Sequence, residues 1–337
     1  MKTREGDLIQ TQDKAIFDVK GLVHPPNRIV AFPRFIPDSH GNRRGKDTVY
    51  RKIYVLSERY SLLEKRFPQY LVFDPVFGER LCEVPKKDIR HYYNPVKRLQ
   101  ELRSCNQFDE LEANALHLAE FMQNNSGVPW SKLGISGSLL IKLYTLKSDL
   151  DPIVYGEKAC LKVYEALKSV MKNEKNEVKP YTLEELRILY DFRSQDTKIP
   201  FDNFVATERR KVLQGKYKHC DFYIRCVKDW NENEERYGDI LYKSVGYAKI
   251  RAKISDDSEA IFTPCRYLVG NVQVLEGICG EVVTQIASFR GRFCEQARKG
   301  EIVVAQGKVE KVQKKTGDMF FRLLLGNKPS DHMVLER

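Results

Sequence analysis

Between residues 108 and 124 the apolar positions Leu111, Ala115, Leu118, Phe121 and Met122 recur every three or four residues. That spacing predicts an amphipathic helix, closed by Asn124-Asn125-Ser126-Gly127. Alternation at period two dominates on either side of the central segment. Ala15–Lys20, Arg28–Phe32 and Thr48–Leu56 read as strands, interrupted by prolines 25, 26, 33 and 37 and by the polar run Ser39–Lys46, which reads as a mobile basic hairpin tip. Residues 1–95 are therefore expected to form a mainly β module. From residue 96 to 240 the expected order is mixed. Leu133–Ser136 reads as a strand, Gly137-Ser138 opens a helix through Lys147, and Asp149–Tyr155 is the next strand. Helices follow over Glu157–Asn173, from the capping box Thr182-Leu-Glu-Glu185 to Arg193, and over Asp202–Gln214, before a strand over Lys218–Val227. Residues 241–337 return to strands at Ser244–Ile254, Ala260–Thr263, Tyr267–Leu275, Val282–Phe289, Ile302–Val312 and Met319–Leu325.

The pattern describes an α+β multidomain chain: a basic N-terminal β module (1–95), a central α/β domain (96–240) and a small C-terminal β barrel or sandwich (241–337). A length of 337 residues suits two or three domains. With 42% hydrophobic and 31% charged residues the chain is too apolar for disorder and too polar for a membrane protein. No apolar run approaches the length of a spanning helix, and Met1–Asp7 lacks a signal-peptide core, so the expectation is a cytoplasmic protein with no membrane partner. The eight cysteines form no Cys-x-x-Cys pair and, with six dispersed histidines, give no zinc pattern; they read as small core hydrophobes.

Net charge is +11 and is unevenly spread: +6 over residues 1–95, zero over 96–240 and +5 over 241–337. Basic flanks attract polyanions through phosphate contacts, which makes nucleic acid, RNA more than DNA, the expected partner. Aromatics interleave with base at His91-Tyr92-Tyr93 and at Tyr60 to Phe67, as a nucleic-acid surface requires, although aromatics in strands more often belong to a core.

The central domain carries the chemistry. Asp149 and Asp151 alternate along a strand, so both face one way about 7 Å apart while Leu150 faces the core. Like charges that close repel unless cations lie with them, and hard dications with oxygen ligands, magnesium or manganese, suit the pair. Gly137 lets the backbone approach a ligand and Ser138 begins a helix whose N-terminus attracts phosphate. Lys147 and Ser148 are further candidates for nucleoside triphosphate (NTP) phosphates. Asp221, in the apolar run His219–Ile224, is an acid that packing does not explain and is the candidate third carboxylate. In Glu208-Arg209-Arg210-Lys211, on an expected helix, one arginine is a weaker candidate for a γ-phosphate or an acceptor backbone. Pro152, directly after the second acid, leaves the course of its strand open.

Gly137-Ser138, a ten-residue gap and Asp149-Leu150-Asp151 between apolar residues resemble the signature of the DNA polymerase beta-type nucleotidyltransferase superfamily. The whole chain, with Asp74-Pro-Val-Phe-Gly78 and Phe289-Arg-Gly-Arg-Phe-Cys-Glu295, looks like nucleotidyltransferases of archaea. Resemblance implies a small mixed sheet flanked by helices, two divalent metals (Mg2+ or Mn2+) held by Asp149, Asp151 and Asp221, and transfer of a nucleoside monophosphate from an NTP, such as ATP, to an acceptor hydroxyl. Ala297–Glu310 resembles the late hairpin of an oligonucleotide-binding (OB) barrel. Protein AMPylation, a small-molecule acceptor and a non-catalytic RNA-binding scaffold are the alternatives. Neither the base of the NTP nor the oligomeric state is readable from these residues.

Overall fold

The computed structural model describes residues 2–173, 175–195, 197–233, 235–277 and 282–336. Its secondary structure is mixed α+β, with several sheets and, among the described residues, seven α-helices. None is long and apolar enough to cross a membrane. The chain divides into two compact units. The first holds Met1–Leu71, Cys82–Pro180 and Val212–Glu234, and the second holds Val72–Leu81, Tyr181–Lys211 and Glu235–Arg337.

In the first unit an antiparallel sheet runs in the order Arg43–Arg44, Val49–Lys52, Arg28–Pro37, Ile16–Val19, Leu8–Thr11 and Ile89–Tyr93. Arg28–Pro37 continues through Pro33 because the register to Ile16–Val19 shifts between Ile16 and Phe17, where a missing amide does no harm. The segment after Val49–Lys52 is not strand: Leu56–Arg66 is a helix, with Leu63 buried. The run Ser39–Lys46 is more built than a free hairpin tip. Arg43–Arg44 pairs with Val49 and Tyr50, and Arg43 is buried. Tyr92 and Tyr93 direct their hydroxyls inside the unit, to Asp7 and Gln10, rather than to an open surface.

The central segment adds two three-stranded sheets. In one, Pro152–Tyr155 lies between Leu133–Ile135, antiparallel, and Arg225–Val227, parallel. In the other, Gln214–Tyr217 lies between Val178–Lys179 and Cys220–Tyr223. The helix Glu110–Ser126 is fixed at both ends. Asp109 accepts from the Glu112 amide, and Gly127 takes the left-handed conformation that ends it. Two expected helices are shorter than their sequence patterns. The one opening at Gly137 closes at Leu140, because Lys142 adopts a left-handed φ of 57°; the one expected to reach Gln214 is Phe201–Glu208, and Gln214 instead begins a strand.

In the second unit Ile240–Asp256 pairs with Cys265–Gly277, which pairs with Val283–Ser288, which pairs in parallel with Met319–Leu325. Met319–Leu325 and, further along the same edge, His332–Leu335 pair with Ile302–Lys314, whose other edge pairs with Ile240–Asp256. The inward side chains, Ile250, Ile254, Tyr267, Ile286, Val303 and Leu323 among them, form one core. Ala260–Thr263, expected as a strand, is turn structure. The helix Leu183–Arg193 has both bonds of the capping box between Thr182 and Glu185.

Six of the seven described cysteines are buried, Cys105 is exposed, and all seven are free thiols; Cys279 lies outside the described residues.

Candidate functional site

The strand Leu133–Ile135 ends where the Ser136 amide donates to the Asp151 carbonyl (2.8 Å), and the chain turns at Gly137 with φ 62°. The turn brings the α-carbon of Gly137 against the Asp151 carboxyl: a β-carbon there would stand 1.8 Å from Oδ2. Only glycine meets both demands, the positive φ and the close approach. Ser138 is buried, and its Oγ has no hydrogen-bond partner among the described residues. Leu140 and Leu143 then pack with Leu8, Ile16, Phe35 and Tyr50, so this turn shares a small core with the N-terminal sheet.

The acids are ordered by one parallel bridge. The Leu150 amide donates to the Asp221 carbonyl (2.8 Å) and the Tyr223 amide donates to the Leu150 carbonyl (3.0 Å), setting Leu150 beside Phe222. Both side chains are buried. Alternation therefore turns Asp149, Asp151 and Asp221 to the opposite face, on neighbouring chains roughly 4.8 Å apart. Pro152 begins the next pairing, Ile153 beside Arg225, in the same register offset, so it interrupts the ladder without bending the strand. A strand's first residue is where proline is tolerated.

Burial raises the Asp151 carboxyl to about 7, and the Asp149 charge adds to that rise; Lys52, Arg225 and Arg34 oppose it. Asp221 is half exposed and forms an ion pair with Lys216 (3.0 Å), its antiparallel neighbour. Among the described residues no group of three or more acids, histidines or cysteines converges to hold a metal ion. Two carboxylates on one face with a buried, unpartnered hydroxyl beside their turn nevertheless form a hard oxygen donor set. That set fits magnesium, which takes one or two carboxylates and completes its shell with water and phosphate oxygens.

The phosphate candidates separate. Lys147 is exposed on the loop between the Gly137 turn and Asp149. Ser148 is buried, and its Oγ accepts from Arg43 Nη1 (2.9 Å) and from the Thr145 amide (3.0 Å). Arg43 also donates to Thr145 Oγ1 (3.1 Å), so one guanidinium ties down the loop that delivers Asp149. Two of the cations of Glu208–Lys211 are engaged within the second unit, Arg210 with both oxygens of Glu301 and Lys211 with Glu208 (2.7 Å) and the Arg292 carbonyl (2.7 Å), while Arg209 is exposed.

Sequence reasoning passes over Arg43, Lys52, Arg34 and Arg225. Arg43 lies in a run whose polarity resembles any solvated loop. Arg225 follows Asp221 by four residues, and its ion pair with the fully buried Glu5 (2.8 Å) is the kind of signal that a lone sequence hides.

No family model and no solved structure matches the chain. It is 32% identical over 335 residues to the uncharacterized protein MJ1086 of the archaeon Methanocaldococcus jannaschii, spanning 97% of this chain and 96% of that one. The archaeal relative agrees with the archaeal resemblance read from the sequence, and the chain belongs to the same family as that protein.

Proposed function

We propose that the chain is a metal-dependent nucleotidyltransferase that moves a nucleoside monophosphate from an NTP to an acceptor hydroxyl on RNA. The observation that carries this reading is the Leu150–Phe222 bridge, which sets Asp149, Asp151 and Asp221 on one face beside the Gly137 turn. In the proposed reaction the acceptor oxygen bonds to the α-phosphorus, the bond to the β-phosphate bridging oxygen breaks, and pyrophosphate leaves. Asp149 and Asp151 would hold Mg2+ or Mn2+, which when bound supplies charge neutralisation and a more acidic acceptor hydroxyl. Asp221, at the exposed end of the row, orients that hydroxyl and receives its proton, and Lys216 steadies the carboxylate in between. The Gly137-Ser138 amides and the Ser138 hydroxyl face phosphate oxygens.

The RNA acceptor is read from the basic surplus of the two flanking segments. An OB-like reading of the C-terminal strands is supported by their pairing order, in which the third and fifth strands of the five-strand ring run parallel.

The test is transfer of label from each α-phosphate-labelled NTP in turn, with magnesium and total RNA or a lysate, beside Asp149→Asn. Label moved by wild type and not by the variant is the expected result. Label entering a polypeptide would replace RNA by a protein acceptor, and no label with any nucleotide or metal would remove the enzymatic reading.

A further inference from the structure

We propose that Lys52, at the end of the strand Val49–Lys52, is the cation that grips the pyrophosphate end of the triphosphate, with Arg34 beside it. The inference rests on the nucleotidyltransferase reading and adds to it a residue from the N-terminal sheet.

Register places Lys52. Tyr50 and Phe35 are buried against Leu140 and Leu143, the residues that follow the Gly137-Ser138 turn. Lys52 pairs with Phe35 in antiparallel register and lies two residues beyond Tyr50, so it issues from the same face. Its Nζ stands 5.9 Å from the Phe35 ring centre, as that placement requires. The strand thus packs its apolar side chains against the residues that follow the turn and carries its lysine out from the same face. The charge of Lys52 is felt at Asp151, and so is that of Arg34.

Lys52 is uncommitted. Among the described residues it makes no hydrogen bond or ion pair; its Nζ rests 4.7 Å from the ring centre of Tyr54. The Arg34 guanidinium lies 5.1 Å from the same ring and donates from Nη1 to the Ile53 carbonyl (3.2 Å). Two cations sharing one half-exposed ring repel each other, and an anion between or above them relieves that repulsion. A triphosphate bound there, counted together with the Asp149 and Asp151 carboxylates, carries more negative charge than two divalent cations cancel, and its tail is the anion such a pair of cations takes. A lysine on a flexible stem can follow the tail and release it as pyrophosphate.

The experiment is calorimetric binding of inorganic tripolyphosphate in calcium, a divalent cation that supplies charge without requiring turnover. Wild type, Lys52→Gln, Lys52→Arg and, as a surface control, Lys65→Ala are compared. The expected result is about tenfold weaker binding for Lys52→Gln, near wild-type binding for Lys52→Arg, and no change for Lys65→Ala. Because glutamine keeps most of the aliphatic stem and arginine keeps the charge, loss in the first with retention in the second isolates the cation from packing. Equal binding by Lys52→Gln and wild type overturns the assignment of Lys52 while leaving the transfer assay to judge the enzyme. Absence of binding by wild type, with no label moved in that assay, overturns both.

Discussion

The α-carbon of Gly137 stands against the carboxyl of Asp151 so closely that a β-carbon would lie 1.8 Å from Oδ2. Turn and acid are therefore one device: the backbone that would meet phosphate also fixes the side chain that would meet metal. Gly137→Ala costs about 1–2 kcal/mol for a left-handed alanine and must also push Asp151 away. A lower melting temperature and a loss of transfer of about a hundredfold or more are expected, measured by thermal melting and the labelling assay. Ser138→Ala, which removes a buried hydroxyl without a partner, is expected to leave the melting temperature unchanged or raised while weakening NTP binding.

Asp151 sets a pH dependence. Its carboxyl, raised to about 7 by burial and by Asp149, binds a proton more tightly folded than unfolded. The associated stability is fully present below pH ~4, where the unfolded chain is also protonated, and is lost as pH rises toward 7. Asp151→Asn should therefore match wild type near pH 4 and exceed it near pH 8 by roughly 1–3 kcal/mol in metal-free urea unfolding. A variant no more stable than wild type at pH 8 would contradict the raised carboxyl.

Magnesium should act in the opposite sense. Binding at the acid pair needs both carboxylates ionised, so the rise in melting temperature on adding magnesium should grow between pH 6 and 8 and vanish on chelation. The same titration on Asp149→Asn should show a much smaller rise. An equal rise in that variant would place the ion elsewhere.

Arg43 holds Ser148 and Thr145 through buried hydrogen bonds, and its removal strips the loop before Asp149 of its tie to the N-terminal sheet. Arg43→Ala is expected to cost about 1–3 kcal/mol and to speed amide hydrogen exchange at Thr145 and Ser148, with Arg43→Lys recovering part of both. Unchanged exchange in that loop would show that the leucines alone hold it.

In the second unit, Thr182→Ala deletes one half of the capping box with Glu185, and a loss of about 1 kcal/mol in urea unfolding is expected.

What can be read from the sequence is what local patterns encode. Asp109 and Gly127 bracket a helix whose apolar spacing is unmistakable, and Thr182-Leu-Glu-Glu185 announces its own start. The strand expected over Asp149–Tyr155 is shorter in the structure: Pro152–Tyr155 is strand, and ahead of it Leu150 alone makes a bridge. What stays hidden is set by distant partners. The Leu150–Phe222 bridge joins residues seventy-two apart, and nothing near Asp149 encodes it. The strand expected over Thr48–Leu56 runs on past Lys52 because Val55 and Leu56 continue an apolar run, and the helix Leu56–Arg66 goes unread although Leu56, Tyr60 and Leu63 fit a helical spacing. The helix at Gly137 is overextended in the sequence reading because Lys142 takes a left-handed conformation that lysine seldom adopts.

Pro152 brings no amide hydrogen to the sheet, so the chain on its two sides is held differently. Behind it, Ile153 and Val154 are laced to strands on both flanks; ahead of it, the acid-bearing segment is held by the two hydrogen bonds of Leu150 to Cys220–Tyr223 and by the Ser136 amide on the Asp151 carbonyl. The carboxylates ride on a lightly stitched tab at the end of a stiff plank. Loosening those few hydrogen bonds would free the acids while the apolar layer beneath, Phe222 included, belongs to better-paired chain.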